Sequence, residues 1–360
     1  MCGTYWAHTK SIIELTTDPT TEVDRTKMKR ILVIGWYGHN NIGDETFQNV
    51  FRYLWPDVMF VFGDQVPTNV NEYDALIFGG GSFLDREIPS LVTPDFVTIP
   101  VGFVGVGIHS AIHLTVREWL AKAAIIVARN LGPWGKPLNS PGPILCAPDL
   151  FFGTEWRGVN WPISPPNSAP KLLVLGNDSV IPGRDEVRWR GDAWNWFASE
   201  FAAILDRDYK GWSIDFYPMC TSDSARGIAR DDDRLFPAPI VAQVEERSAI
   251  RVFNEPVDLL TLTARIDRAS LVISLRLHGV ILSTIMGTPH VGICMHDKMV
   301  SYFTDRDWWK NRCNYYGFSS DTLRDAVAAM PTVDDMDARR KDGYQAWQNI
   351  AAIVAEKLFF

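Results

Sequence analysis

The chain has 360 residues, with 46% hydrophobic and 22% charged residues and a formal net charge of −8. This length exceeds one ordinary hydrophobic core and predicts two domains. The acidic balance argues against nucleic acid or an anionic membrane as the main partner, although local arginines can still bind a small anion. Five scattered cysteines without a CxxC pair predict no disulfide framework and no metal site. No apolar run approaches the length of a membrane span, and the sequence shows no signal peptide with a basic and then an apolar segment. We therefore expect a cytoplasmic protein.

The first organised element follows a polar, threonine-rich segment, residues 1–27, which we interpret as a mobile leader. Ile31–Ile34 predicts a buried strand, and a glycine-containing loop then leads to a helix over Glu45–Leu54. Backbone N–H groups at such a strand–loop–helix junction can bind an anion. The spacing matches neither GxGxxG nor a P-loop, so a plain tight turn remains an equally good interpretation.

Four more strands are predicted in this half, the first domain, 28–155. Their ranges are Val58–Phe62, Tyr73–Phe78, Thr98–Val106 and Ala124–Ala128, with a helix over Leu114–Ala123 before the last. The third strand of the chain runs into Gly79-Gly80-Gly81-Ser82, where consecutive glycines allow a ligand to approach the backbone closely. The alternation of strands and helices predicts a doubly wound parallel sheet.

A second alternating set begins after a proline-rich linker, placed at 156–170. The second domain, 171–332, has predicted strands at Leu172–Leu175, Ser213–Tyr217 and Ile250–Phe253, and helices at Asp192–Leu205 and Pro256–Arg265. The tail, 333–360, has the pattern of one long amphipathic helix that packs back across the domain junction.

The segment Leu271–Lys298 carries the strongest functional pattern. An apolar run stops at Arg276-Leu277-His278, a short helix ends at Gly287, and a second strand, His290–Cys294, leads to Asp297-Lys298. The carboxyl ends of parallel strands form the ligand-binding edge of an open α/β sheet. Because Arg276, His278 and Lys298 all reach that edge, we predict a functional site there rather than ordinary surface residues.

Four motifs together resemble the polysaccharide pyruvyl transferase family. They are GWYGHNNIGDE, FGGGSFLD, the strand end at Arg129, and SLRLHGVILSTIMGTPHVGICMHDK. The resemblance covers roughly residues 28–303. It implies two Rossmann-like domains that face a cleft, as in GT-B glycosyltransferases, and transfer of pyruvate from phosphoenolpyruvate to two hydroxyls of one sugar as a cyclic ketal. The acceptor would be a sugar or oligosaccharide, free or lipid-linked, and no cofactor is implied.

The resemblance also implies roles for individual residues. Arg276 would grip the donor because arginine binds carboxylate or phosphate through two bonds, and Lys298 would add a cation. His278 would exchange protons near neutral pH. Asp44 and Glu45 are candidates for a base or for contacts with sugar hydroxyls, and equally for acids that stabilise the helix start. The remaining candidates for substrate binding are Arg129, Gly38, Asn41, Gly43, Gly80, Gly81 and Ser82.

The chain departs from the family at several positions. Asn130 follows Arg129 where the family usually has aspartate, and Gly176-Asn177-Asp178 replaces a common Ser-x-Arg. Arg184 or Arg188 would have to replace that arginine, or the activity is lost. Two alternatives stay open: a GT-B glycosyltransferase with a nucleotide-sugar donor, and a non-catalytic glycan-binding relative. For the former, Glu255 and Asp258 lie before Arg276 and are poorly placed to hold a ribose.

Overall fold

The computed structural model describes residues 28–81, 87–107, 112–130, 140–156, 169–177, 189–221, 232–255, 258–304 and 308–360. The predicted leader, Ser82, Arg184, Arg188 and nearly all of the predicted linker lie outside these residues. Within the described ranges, no helix is long and apolar enough to cross a membrane.

The first half of the chain forms a parallel sheet of six strands. These are β1 (Lys29–Ile34), β2 (Val58–Gly63), β3 (Ala75–Gly81), β4 (Val101–Gly107), β5 (Ala123–Asn130) and β6 (Ile144–Cys146). Their order across the sheet is β2-β1-β3-β4-β5-β6, so the order reverses between β1 and β3. The helices of this half are α1 (Ile42–Leu54) and α2 (Leu114–Leu120).

The second half forms another parallel sheet of six strands. These are β7 (Lys171–Leu175), β8 (Ser213–Phe216), β9 (Ile250–Val252), β10 (Leu271–Ser274), β11 (His290–Cys294) and β12 (Arg312–Asn314). Read from β9, the order β9-β8-β7-β10-β11-β12 is the 3-2-1-4-5-6 order of Rossmann folds. Here the order reverses between β7 and β10. The prediction of two Rossmann-like parallel sheets is confirmed.

The remaining helices flank the second sheet and then return to the first. They are α3 (Trp189–Asp208), α4 (Pro237–Val241), α5 (Leu259–Asp267), α6 (Leu277–Met286), α7 (Asp297–Thr304), α8 (Ser320–Ala328) and α9 (Val333–Leu358). The sequence patterns did not predict α4, α7, β12 or α8. These elements are short, and tertiary packing outweighs their weak local periodicity.

Helix α9 packs across the junction of the two halves, as predicted. Its Trp347 is fully buried, and the indole Nε1 donates to the carbonyl oxygens of Pro148 and Asp149 at 3.1 Å each. Trp55, the residue directly after α1, donates from its indole Nε1 to the carbonyl of Ala351 in α9 at 2.9 Å. One hydrophobic core contains residues of α1, α6 and α9 together. The two halves therefore share packed surface in addition to the cleft between them.

Candidate active site

A cleft of about 230 Å³ lies where the two sheets present their carboxyl ends to each other. Its walls follow the strands on either side of both reversals of strand order, the position where open α/β sheets bind ligands. Both halves contribute lining residues. They are Gly35, Trp36, Asn41, Asp44, Asp64, Gly80, Gly81, Pro89, Arg129, Asn177, Met219, Arg276, Leu277, His278, His296 and Lys298.

The loop after β1 is held by both the helix it precedes and the opposite half. Helix α1 begins three residues earlier than predicted because Asn41 caps it and its side chain accepts from Gly43 N at 3.1 Å. Ile42 N donates to the Met219 carbonyl at 3.0 Å, and Thr221 N donates to the Asn40 carbonyl at 3.2 Å. This short antiparallel contact, centred on Asn41 and Cys220, joins the two halves at the cleft.

Glu45 supports the loop after β1 and does not line the cleft. Its Oε1 accepts from the backbone N–H groups of Gly38 and His39 at 2.5 and 3.1 Å, and its Oε2 accepts from Gln48 at 2.7 Å. Of the two interpretations open for this acid, the geometry favours a structural contact near the helix start over contact with a substrate. Gly38 shares this supporting position.

Asp44, the neighbouring acid, lines the cleft and is only 8% exposed. Burial raises the pKa of its carboxyl group to about 7, and the positive charges of Lys298, Arg129 and Arg276 oppose that rise. At neutral pH the protonated and ionised forms are therefore both populated. A carboxyl group in this condition can accept and donate a proton in one catalytic cycle.

Arg276 is the residue before α6, and Asp233 of the same half holds its guanidinium. Nε donates to Asp233 Oδ2 at 3.1 Å and the second bond, to Oδ1, is 2.5 Å long. Asp233 is fully buried as a side chain and also accepts from the backbone N–H groups of Met219 and Cys220. One carboxylate therefore fixes both the arginine and the loop that contacts Asn40 and Ile42.

Arg129 ends β5 and is held in a similar way. Its guanidinium donates to Asp149 Oδ2 at 2.8 Å, and both side chains are almost completely buried. The other carboxylate oxygen of Asp149 accepts from Phe151 N at 3.1 Å. Asn130 follows Arg129 directly, and the carboxylate that binds Arg129 comes from a residue twenty positions later.

His278 lies in the first turn of α6, against the opposite half. Its ring stacks on Phe151 with centroids 4.8 Å apart, and its Nε2 lies 3.8 Å from Asp149 Oδ2, beyond hydrogen-bond distance. The ring occupies space that Gly43 leaves open, since a Cβ on Gly43 would lie 1.9 Å from His278 Nδ1. Gly43 therefore supports the site through its small size and does not line the cleft.

The protonation of His278 differs from the near-neutral titration that the sequence suggested. Burial lowers its pKa to about 3, the Asp149 carboxylate partly opposes this shift, and Arg129, Lys298 and Arg276 reinforce it. The imidazole is therefore neutral at physiological pH. A bound anion would raise this pKa, because it stabilises the imidazolium form and offsets the three cations.

The remaining predicted positions also reach the cleft. Lys298 lies in the first turn of α7, so it follows β11 on the same rim as Arg276. Gly80 and Gly81 end β3 with φ angles of 71° and 92°, a conformation that side chains with a Cβ rarely adopt. A Cβ on Gly81 would lie 3.0 Å from Asp44 Oδ1. The backbone of Gly81 therefore lies directly beside the Asp44 carboxyl group.

Comparison with known proteins identifies the family and the fold. The sequence model of the polysaccharide pyruvyl transferase family matches residues 6–294. The chain belongs to this family. A search of curated protein sequences found no significant match.

Solved structures with the same fold include two of stated function. The Methanocaldococcus jannaschii UDP-GlcNAc 2-epimerase in complex with UDP-GlcNAc and UDP has a TM-score of 0.55 and 12% identity, with coverage of 91% of this chain and 100% of the epimerase. The glycotransferase of kitacinnamycin has a TM-score of 0.50 and 10% identity, with coverage of 92% and 100%. At such identities these likenesses show the fold alone, which this pyruvyl transferase family member shares with GT-B glycosyltransferases and UDP-sugar epimerases.

Most of the positions predicted for this family member meet in one cleft, and the rest support it or lie outside the described residues. The lining positions are Asp44, Arg129, Arg276, His278, Lys298, Asn41, Gly80 and Gly81. Gly38, Gly43 and Glu45 do not line the cleft, and Ser82 lies outside the described residues. The described residues contain no cluster of three or more His, Cys, Asp or Glu that could hold a metal ion.

Sequence reasoning missed several residues of the site. They are the two buried aspartates, Asp149 and Asp233, and the other lining residues: Gly35, Trp36, Asp64, Pro89, Asn177, Met219, Leu277 and His296. Asp149 precedes a run of apolar residues, and Asp233 lies in a stretch rich in charge. Neither context marks a buried carboxylate. Asp64 follows β2 just as Trp36 follows β1, so the carboxyl-end rule could have identified both.

Proposed function

We propose that this protein transfers pyruvate from phosphoenolpyruvate to two hydroxyls of one sugar residue and releases phosphate. The observation that carries the proposal is the convergence of Arg129, Arg276 and Lys298 around a buried Asp44 and a buried His278. Phosphoenolpyruvate is a compact trianion, and a site for it needs fixed cations within a small volume. Family membership supports the same reaction.

The reaction balances without a cofactor. Phosphoenolpyruvate carries three negative charges, and the products carry one on the ketal carboxylate and two on hydrogen phosphate. The carbon–oxygen bond to phosphate breaks, and two carbon–oxygen bonds to the sugar form at the same carbon. The two hydroxyl protons end on the new methyl group and on the released phosphate. The protein must therefore move protons, and no electron acceptor or carrier group is required.

Two buried groups suit these proton transfers. Asp44, with a pKa of about 7, accepts a proton from an attacking hydroxyl when ionised. His278 alone has a low pKa, and the bound trianion raises this pKa so that the imidazole can deliver a proton to the methylene carbon. The arginines and Lys298 hold the donor and offset the charge of the departing phosphate.

The test combines binding and turnover. Melting temperature is measured with increasing phosphoenolpyruvate for the wild type and Arg276→Ala, since a ligand that binds only the native state raises it. Turnover with hexose and oligosaccharide acceptors is followed by phosphate release and by the ketal methyl signal in NMR spectra. We expect a shift that Arg276→Ala abolishes, and turnover that His278→Ala reduces by about 10²–10⁴-fold.

Three results would contradict the proposal. They are turnover that His278→Ala leaves intact, an unchanged phosphoenolpyruvate affinity in Arg276→Ala, and a melting shift that appears only with nucleotide-sugars. The last result would instead favour the GT-B glycosyltransferase reaction. Retained sugar binding without any donor binding or turnover would favour a glycan-binding relative.

A further inference from the structure

The cleft extends well beyond its cationic part. Arg129 ends β5, whereas Trp36 follows β1 and Asp64 follows the edge strand β2. The order β2-β1-β3-β4-β5 places four strand spacings between the strands of Asp64 and Arg129, or about 19 Å along the rim. A compact trianion bound at the cationic end would leave the outer end for a second molecule.

The aromatic surface at this outer end is packed against His39. His39 stacks on the indole of Trp36 with centroids 3.9 Å apart and an interplanar angle of 14°. His39 Nε2 lies 3.6 Å from Asp64 Oδ2, and His39 N donates to Glu45. Trp36 lines the cleft and is partly exposed, and since His39 covers one face of the indole, a ligand would pack on the opposite face. A ring already held by a stack loses less conformational entropy on binding than a free one.

The chemistry of this end suits an uncharged polyhydroxylated ring. The electron-rich face of an indole attracts the partly positive C–H groups on one face of a pyranose, and both surfaces are apolar. A carboxylate accepts hydrogen bonds from hydroxyls but repels an anion. Asp64 is exposed, with 61% of its side chain accessible, so its carboxylate can meet a ligand from solvent.

We propose that Trp36 and Asp64 form the acceptor subsite and bind a hexopyranose, with the ring packed on the indole and its hydroxyls bonded to the carboxylate. This assignment of an acceptor role rests on the proposed function. Asp44 lies between the two ends, beside Gly81 at the end of β3. A sugar on Trp36 therefore presents its hydroxyls toward the group that accepts their protons.

The experiment measures sugar binding directly. Saturation-transfer-difference NMR titrations use methyl glycosides of glucose, galactose, mannose and N-acetylhexosamines, with wild type, Trp36→Ala, Trp36→Phe and Asp64→Asn. Trp309→Ala is the matched control, because Trp309 is 56% exposed and lies outside the cleft lining. We expect Trp36→Ala to weaken binding by about tenfold or more, as for a truncated aromatic anchor, and Trp309→Ala to leave it unchanged.

Each outcome either supports or overturns the proposed acceptor subsite. Trp36→Phe retains an aromatic face and is expected to bind more tightly than Trp36→Ala, which also covers the case of an unfolded alanine variant. Wild-type affinity in folded Trp36→Ala and Trp36→Phe, or no binding of any methyl hexopyranoside to the wild type at millimolar concentration, would overturn the subsite. Phosphoenolpyruvate is titrated in parallel. Sugar binding that depends on Trp36 without any donor-induced shift in melting temperature would refute the proposed reaction and keep the sugar site.

Discussion

Two arginines at strand ends, Arg129 and Arg276, line the same cleft, and a buried aspartate holds each of them. Asp149 holds Arg129 through one bond of 2.8 Å, whereas Asp233 holds Arg276 through two. Each aspartate belongs to the same half of the chain as its arginine. The two carboxylates differ in their other contacts. We infer that Asp149 adjusts the pKa of a nearby titratable group, whereas Asp233 holds a loop in place.

Asp233 also accepts from two backbone N–H groups in the loop that contacts Asn40 and Ile42. Asp149 instead faces His278 of the other half at 3.8 Å, and its charge raises the pKa of that imidazole. A carboxylate that supports a loop and a carboxylate that acts on a titrating group should respond differently to mutation. We expect the largest difference between variants of Asp233 and Asp149 in their free energies of unfolding.

Asp233→Ala should destabilise the protein more than Asp149→Ala. The first change removes two bonds to a largely buried arginine and the acceptor of two N–H groups, with an expected loss of about 3–5 kcal/mol in the free energy of unfolding. The second removes one bond to a buried arginine and the acceptor of one N–H group, with an expected loss of about 3 kcal/mol, at the low end of that range. Chemical denaturation measures both. Equal losses would contradict the proposed difference between the pairs.

Asp44→Asn extends the comparison of Asp149 and Asp233 to a third buried carboxyl group, one whose pKa is raised. Its pKa is 3.8 in the unfolded reference and about 7 in the folded protein, so the folded protein binds this proton more tightly between these values. The wild type therefore loses stability as pH rises from about 4 to 7, and the asparagine variant escapes that loss. We expect the variant to be more stable above pH 7 by up to about 4 kcal/mol.

The measurement is thermal or chemical unfolding of both proteins from pH 3 to pH 8. The control is that their stabilities converge at the acid end, below the unfolded-state pKa of 3.8, where Asp44 is largely protonated in both states. A stability difference that stays constant across the range would show that the carboxyl group does not titrate there. The variant should also lose turnover, since an amide cannot accept the hydroxyl proton.

Asp149→Asn should lower turnover in a manner that depends on pH. Loss of this carboxylate lowers the pKa of His278 further, so fewer molecules carry the imidazolium at neutral pH. We expect kcat to fall by about tenfold at neutral pH and to recover partly as the pH is lowered. Asp233→Asn is the control, because the charges that shift His278 are Asp149, Arg129, Lys298 and Arg276. A similar recovery in that variant would contradict the proposed role of Asp149.

The fold could be predicted from local pattern because parallel strands are apolar runs and their helices alternate with them. His290–Cys294 matches the predicted strand, and α6 ends at Met286, directly before Gly287, where the short helix was predicted to end. The carboxyl-end rule then located Arg276, His278 and Lys298, whose side chains follow strands directly. These predictions depend on residues that are close to each other in sequence.

The partners of those residues could not be predicted, because they come from distant parts of the chain. Asp149 lies twenty positions after Arg129, and Asp233 lies forty-three positions before Arg276. The pKa values depend on burial, which sequence pattern describes only coarsely. For this reason the sequence indicates His278 as the group that titrates near neutrality, whereas in the structure the pKa near 7 belongs to Asp44.

Gly43→Ala tests whether the two halves meet at His278 as closely as the geometry indicates. Alanine within a helix usually stabilises a protein by up to about 1 kcal/mol relative to glycine. Here the new Cβ would lie 1.9 Å from His278 Nδ1, and the stack on Phe151 limits where the ring can move. We therefore expect the opposite sign, a loss of about 1–3 kcal/mol, together with lower turnover.

The matched control is Gly317→Ala, because no atom lies within 4 Å of the position of a Cβ there. Unfolding free energies and turnover are measured for both variants beside the wild type. A stabilised, fully active Gly43→Ala would mean that His278 lies farther from α1 in solution, and the close approach of the two halves at this imidazole would be wrong. A destabilised Gly43→Ala beside a neutral Gly317→Ala would instead show that the smallest residue of the GDE motif is required because the opposite half fills the space it leaves.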